Sequence, residues 1–185
     1  MSPGRLYSVE AIIIKRKNVG EADRHLTLFT KEFGKIRCIA KGVRKIQSRR
    51  AGHIEIFSHV RAMIRRGKTM DQLTEVTPEV AFSGIRVNLR KVNAAYYICE
   101  LADTLLPDHL QHPDIFHLLA RTLAELNKSE EIHFLRMTEI FALCLLGRLG
   151  YLPEDSSRID AVDDYIERII EKRLKTPRLL TKLLA

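Results

Sequence analysis

Tryptophan is absent from this chain of 185 residues, and cysteine is scarce at three. Cys38, Cys99 and Cys144 lie far apart and form no CxxC pair. An odd count without a secretory pattern reads as reduced, buried, intracellular thiols. Long apolar runs are also missing. The longest, Ile140–Leu146, falls far short of the ~20 residues that span a bilayer. The run Ala11–Ile14 is too short for the core of a secretory leader. A cytoplasmic protein without a membrane partner is therefore expected. Acid is missing from one stretch in particular: nothing acidic lies between Glu32 and Glu55. No nucleophile stands with a base and an orienting group, so no catalytic residue is assigned and no enzyme is expected.

What is present is positive charge, unevenly spread. The formal net charge is +8. Residues 1–80 carry 17 Lys/Arg against 8 Asp/Glu, whereas residues 81–185 carry 14 against 15. Such asymmetry points to a polyanion-binding half joined to a neutral half. The two halves also differ in period. SVEAIIIKRK (8–17), HLTLFTK (25–31), KIRCIAKG (35–42), SHVRAMIRRGK (58–68) and TMDQLTEV (69–76) read as five strands with glycine turns. Ile36, Cys38 and Ala40 take one face of the third, and Lys35, Arg37 and Lys41 the other. Five strands in about 80 residues fit an OB-type barrel, whose open face and loops bind single strands.

Pro78 marks the change to a longer period. Leu89, Val92, Tyr96, Cys99, Ala102 and Leu106 form one helical stripe, which Pro107 ends. Pro113 restarts a second helix. Ser129 reads as the N-cap of a third, with Glu130 and Glu131 favourable to its dipole. Gly150 suits its left-handed C-cap, and Pro153 stops continuation. A fourth helix is expected around Asp160–Leu174, and TPRLLTKLLA can form a short amphipathic one. The expected fold is α+β with two domains: a five-stranded OB-type barrel at 1–79 and an α-helical domain at 80–185.

The strand at 35–41 puts three cations on one face. The following loop adds Arg44, Lys45, Arg49 and Arg50, and the fourth strand and its turn add Arg61, Arg65, Arg66 and Lys68. A basic face of this kind neutralises a phosphate backbone without reading bases. Phe29, Phe33 and Phe57 are the aromatics available for base stacking, although Phe29 reads better as barrel core. GKT at 67–69 lacks the earlier glycine of a phosphate-binding loop and no helical pattern follows it. HLQH (109–112) reads as an exposed loop and not a metal site. Glu130–Glu131 and Asp163–Asp164 are adjacent on helices and point apart, which excludes an acid/base dyad. No metal or cofactor is expected.

EADRHLTLFT (21–30), GKIRCIAKGVR (34–44) and SRRAGHIEIF (48–57) resemble the RecO family of recombination mediators. AAYYICELADTLLPD (94–108), LLGRLGYLP (145–153) and RLKTPRLL (173–180) resemble its helical part and closing segment. The resemblance implies a protein that binds DNA, anneals complementary strands and helps load RecA onto strands coated by single-strand-binding protein. RecR and the acidic tail of single-strand-binding protein are the implied partners. Lys35, Arg37, Lys41, Arg44, Lys45, Arg49 and Arg50 match the family's basic strand and loop, and Arg24 the EADR turn. Many members carry a four-cysteine zinc module after the GY-x-P segment. Here EDSSRIDAVDDYIERII follows without cysteine, which implies an internal deletion with the closing helix retained. Arg136 and Arg148, beside Leu135, Phe141 and Leu145, are the candidate contacts for the acidic tail.

Overall fold

The computed structural model describes residues 6–45, 48, 51–129, 134–152 and 161–176. Five strands come first: β1 Leu6–Val19, β2 Asp23–Thr30, β3 Gly34–Ala40, β4 His59–Arg65 and β5 Asp71–Val80. They close into a barrel of order β1-β2-β3-β5-β4. All neighbours are antiparallel except β3 and β5, which run parallel through Cys38↔Asp71 and Ile39↔Gln72. This is the OB-type barrel that the alternating segments predict.

Alternation dictates what fills it. Val60, Ala62 and Ile64 of β4 point inward, as do Ile36, Cys38 and Ala40 of β3 and Leu26 and Leu28 of β2. Register shifts keep the pattern in phase. Between Ile13 and Lys15 the register of β1 shifts, so the long strand can bend around the barrel. Between Leu73 and Glu75, β5 shifts against β4, and the Thr74 hydroxyl donates to the Met63 carbonyl at 3.0 Å. Leu73 and Val76 both reach the core despite being three residues apart. β5 also runs past Pro78 to Val80. Pro78 is tolerated because the end of the strand is exposed.

The helices are α1 Ser83–Arg86, α2 Leu89–Leu105, α3 Pro113–Lys128, α4 Phe134–Arg148 and α5 Val162–Ile170. α2 is buried nearly all round, through Ala94, Ala95, Ile98, Leu101 and Ala102 among others. Leu89 and Tyr96, placed in its core stripe by spacing, are exposed. Ser129 is tied to the helix before it, and the residues it is expected to cap, 130–133, lie outside the described ones. Its backbone N–H bonds the Glu125 carbonyl and its hydroxyl the Leu126 carbonyl, closing α3. Gly150 takes φ +76°, as a left-handed helix end requires. α5 stops before its expected end, with Glu171 in the left-handed region. The backbone N–H of Leu174 then bonds Glu167, and those of Lys175 and Thr176 bond the Glu100 carboxylate, each near 2.9 Å. Glu130, Glu131, Pro153 and the tail beyond Thr176 lie outside the described residues.

The chain divides into two compact units. The first takes residues up to Phe82 together with Leu106–Phe116, and the second takes Ser83–Leu105 and the residues from His117 on. The segment 106–116, which leaves α2 and enters α3, thus groups with the barrel. No helix among the described residues is long and apolar enough to cross a membrane.

Candidate nucleic-acid interface

The basic residues named from sequence separate into three kinds. Lys41, Arg44 and Lys45 follow β3 directly and are exposed. Their turn is fixed to the β1–β2 turn. Arg44 donates its backbone N–H to the Ala22 carbonyl (2.9 Å) and Nη1 to the Gly20 carbonyl (3.1 Å), and the Gly42 N–H bonds Asp23 at 2.7 Å. Arg65, Arg66 and Lys68, also exposed, occupy the β4–β5 turn. Asp71 braces that turn by accepting the Gly67 N–H at 3.1 Å and the Tyr7 hydroxyl at 2.6 Å. Burial, then the bond to Asp71, pushes the Tyr7 hydroxyl above its usual range.

The register relates the two turns. Extending the β3–β5 pairing back one step sets Met70 level with Arg37, and Lys41 lies four residues farther on, just past the end of β3. That is roughly 13 Å at the rise of a strand. The cationic turns therefore flank one seam of the barrel: Arg65–Lys68 is at the β4–β5 loop that OB barrels use for oligonucleotides, and Lys41–Lys45 follows β3 and is bonded to the β1–β2 loop, the other one they use.

Lys35, Arg37 and Arg61 are different. Lys35 is 5% exposed, and its Nζ sits 3.2 Å from Asp108 Oδ1. It does not join an open basic face, which corrects the expectation from alternation. The outer side of β3 is covered at this point, and a lysine there requires a carboxylate partner. Arg37 Nη2 lies 3.0 Å from the other oxygen of the same carboxylate, although its side chain remains 61% exposed. Arg61 pairs with Glu79 at 3.0 Å. Arg49 and Arg50 lie outside the described residues. Arg24, in the EADR turn, binds Asn18 Oδ1 and Glu55, which also holds Arg16.

The cover over Lys35 is the segment 106–116. Asp108 bridges to Lys35 in a parallel β-bridge, and the His109 N–H bonds the Lys35 carbonyl at 2.9 Å. Gln111 donates its side-chain amide to the Glu32 carbonyl. At Gly34, φ is +65° and a Cβ would stand 1.9 Å from the Leu110 carbonyl oxygen, so only glycine fits. HLQH is thus tied down through its backbone, while His109, Leu110 and Gln111 keep exposed side chains. Among the described residues no cluster of His, Cys, Asp or Glu could hold a metal. No local pattern links Asp108 to Lys35; the glycine of EFGK is the one sequence sign of a close backbone approach there.

None of the three phenylalanines is an open stacking surface. Phe29 is fully buried, outside the barrel core, with its ring 5.9 Å from that of Phe116. Phe57 is 2% exposed. Phe33 packs against the core and edge-on to Tyr7 at 5.1 Å. On α4, Arg136 and Arg148 are exposed with Leu135 and Ile140, and Arg148 donates to the Cys144 carbonyl at 3.2 Å. Phe141 and Leu145 are buried, so they line no groove at the surface.

Comparison with known proteins identifies the family. Residues 1–82 match the family profile described as Recombination protein O N terminal, and residues 86–160 the one described as Recombination protein O C terminal. A DNA repair protein RecO from Roseiflexus sp. (strain RS-1) is 39% identical over 150 residues, covering 81% of this chain and 52% of the relative. Proteins of the same description from Dehalococcoides mccartyi (strain ATCC BAA-2266 / KCTC 15142 / 195) and Desulfitobacterium hafniense (strain DSM 10664 / DCB-2) are 38% and 34% identical over 148 residues, each covering 80% of this chain. These two are themselves covered over 58% and 53% of their lengths. The chain therefore spans a little over half the length of these curated relatives.

Proposed function

The chain belongs to the RecO family, and from that premise we propose that it is a non-enzymatic DNA-binding mediator that captures single strands, anneals complements and assists RecA loading onto strands coated by single-strand-binding protein. The observation that carries this reading is the pair of exposed cationic turns, Lys41–Lys45 and Arg65–Lys68, braced on one seam of an OB-type barrel. Their charge lies where a polyanion can approach, and it screens the repulsion between two backbones. Arg49 and Arg50 extend the first turn in sequence and belong to the same proposal, and Arg37 lies between the turns. Lys35 and Arg61 are assigned to the chain's own carboxylates in the present state.

RecR and single- and double-stranded DNA are proposed partners. The acidic tail of single-strand-binding protein is proposed to meet α4, where Arg136, Ile140 and Arg148 follow at intervals of four and eight residues on one helical face. Two domains, 1–79 and 80–185, are the proposed division of labour, with segment 106–116 seconded to the barrel. Residues 153–160, where the resemblance places the loss of the zinc module, lie outside the described region. A second reading, an RNA-binding or adaptor protein without annealing activity, draws on the burial of Phe29 and Phe57, since contact through phosphates alone does not tell DNA from RNA.

The test is annealing of complementary strands precoated with single-strand-binding protein, comparing wild type with K41A/R44A/K45A. Acceleration by wild type and its loss in the variant are expected. Binding to naked DNA and RNA alike, with no acceleration of annealing by wild type, would favour the second reading.

A further inference from the structure

The barrel carries a second row of groups that the open turns do not use. Across its outer surface the register aligns His59, Ile12, Phe29 and Lys35, through the pairs Ile12↔His59, Ile12↔Phe29 and Phe29↔Lys35. Arg37 follows two residues along β3 on the same side. This is the face of β2 and β3, which in OB barrels takes oligonucleotides. An aromatic ring with two cations beside it is also the composition of a single-strand platform: a base stacks on the ring while phosphates meet the charges.

Phe29, His59 and Lys35 meet one strap, residues 106–112 and the first turn of α3, while Arg37 at its edge stays largely exposed. The match between cover and platform is chemical as well as steric. Asp108 places one carboxylate oxygen 3.2 Å from Lys35 Nζ and the other 3.0 Å from Arg37 Nη2, as a phosphate would. Phe116 sets a ring against Phe29, with centroids 5.9 Å apart, and against His59, at 5.7 Å. An anion on the cations and an aromatic on the aromatic are what a nucleotide would supply. The strap also meets the barrel through the His109 N–H, which bonds the Lys35 carbonyl, and the Gln111 amide, which bonds the Glu32 carbonyl.

We propose that Phe29, Lys35 and Arg37 form a second single-strand subsite, occupied in this state by the strap, with Asp108 in the place of a phosphate and Phe116 in the place of a base. The subsite rests on the DNA-binding reading above and deepens it. A strand bound first at the cationic turns, which flank Arg37, competes with the strap for this face. Displacement gives the barrel two further phosphate contacts and one stacking contact, and binding then becomes tighter and more salt-dependent.

The experiment measures fluorescence anisotropy of a labelled oligothymidine against salt, for wild type, D108N, F116L and D108N/K35A/R37A, together with amine labelling of Lys35 followed by mass spectrometry. D108N keeps an oxygen for the cations, and F116L leaves the charge unchanged and keeps an apolar contact on Phe29, so either can serve if the other folds poorly. D108N is expected to bind at least about tenfold more tightly at low salt and to steepen the log–log salt slope by about 1.4, for two phosphates at about 0.7 each. F116L is expected to tighten binding in the same direction, Lys35 to label faster in both, and the triple variant to lose the gain. Unchanged affinity in D108N and F116L overturns the subsite, whether or not Lys35 labels faster, because a cover that neither substitution loosens is not displaceable. Failure of the underlying reading looks different: wild type itself would then show no binding that depends on Lys41, Arg44 and Lys45.

Discussion

Replacing either cationic turn should remove a calculable share of the salt dependence of binding. The perturbation is a pair of triple variants, K41A/R44A/K45A and R65A/R66A/K68A. All six residues are exposed. Each phosphate neutralised on a single strand contributes about 0.7 to the slope of log K against log salt, so six contacts give about 4 and each triple variant loses about 2. Between 50 and 200 mM salt, a slope of about 4 means a loss of affinity of roughly 250-fold, and a slope of about 2 only roughly 16-fold. Arg49 and Arg50 stay intact in both variants, so they raise the absolute slope but not the difference. Arg61→Ala is the control: its guanidinium is held by Glu79, and the slope should not move. Anisotropy titrations of a short oligothymidine at four or five salt concentrations give the slopes. A slope that neither triple variant lowers by as much as one phosphate's worth, or that R61A lowers as far as a triple does, would refute the assignment of phosphate contacts to the turns.

Four further outcomes follow from the geometry. Asp108→Ala should cost more than Lys35→Met in a urea melt, by about 2 kcal/mol or more. The first removes the carboxylate beside a buried ammonium, whereas the second leaves a half-exposed carboxylate still bound to Arg37. Gly34→Ala should destabilise by more than about 2 kcal/mol, because it forces a strained φ and drives a Cβ into the Leu110 carbonyl. Thiol titration of the native protein should find Cys144 reacting first, with Cys38 and Cys99 protected by burial. Burial, then the charge of Asp71, pushes the Cys38 thiol up to about 12 from an ordinary 9.0. The folded state therefore keeps a proton that the unfolded chain loses, so this contribution is full below about pH 8.5 and disappears as pH rises through 12. Thermal melts should show stability falling over that alkaline window, with the raised hydroxyls of Tyr7 and Tyr97 acting in the same direction.

Much of the barrel was legible because a period of two is a local property. Val60, Ala62 and Ile64 are buried where alternation puts them, and so are Ile36, Cys38 and Ala40. What alternation does not reveal is what covers the outer side of a strand. Lys35 and Arg37 share a face by sequence, but the carboxylate that decides their role enters 71 residues after Arg37, on the segment between two helices. Phe29 likewise reads as core because it is apolar. It is buried, but beneath Phe116 and not inside the barrel. The stripe on α2 failed for a related reason. A helix buried on most sides has apolar residues at nearly every position, so spacing alone cannot choose the two that remain exposed, Leu89 and Tyr96. Pro78 separated strand from helix in composition, yet the ladder tolerated it at an exposed end, so the composition boundary and the structural one differ by two residues.

The most direct measurement is lysine footprinting with and without a saturating oligothymidine, read by mass spectrometry on the wild-type chain. Protection concentrated at Lys41, Lys45 and Lys68, with Lys91 and Lys172 of the helical unit unchanged, is the result expected if the turns hold the strand. Equal labelling of Lys41, Lys45 and Lys68 in the free and bound protein, at concentrations where anisotropy reports full binding, would contradict the account.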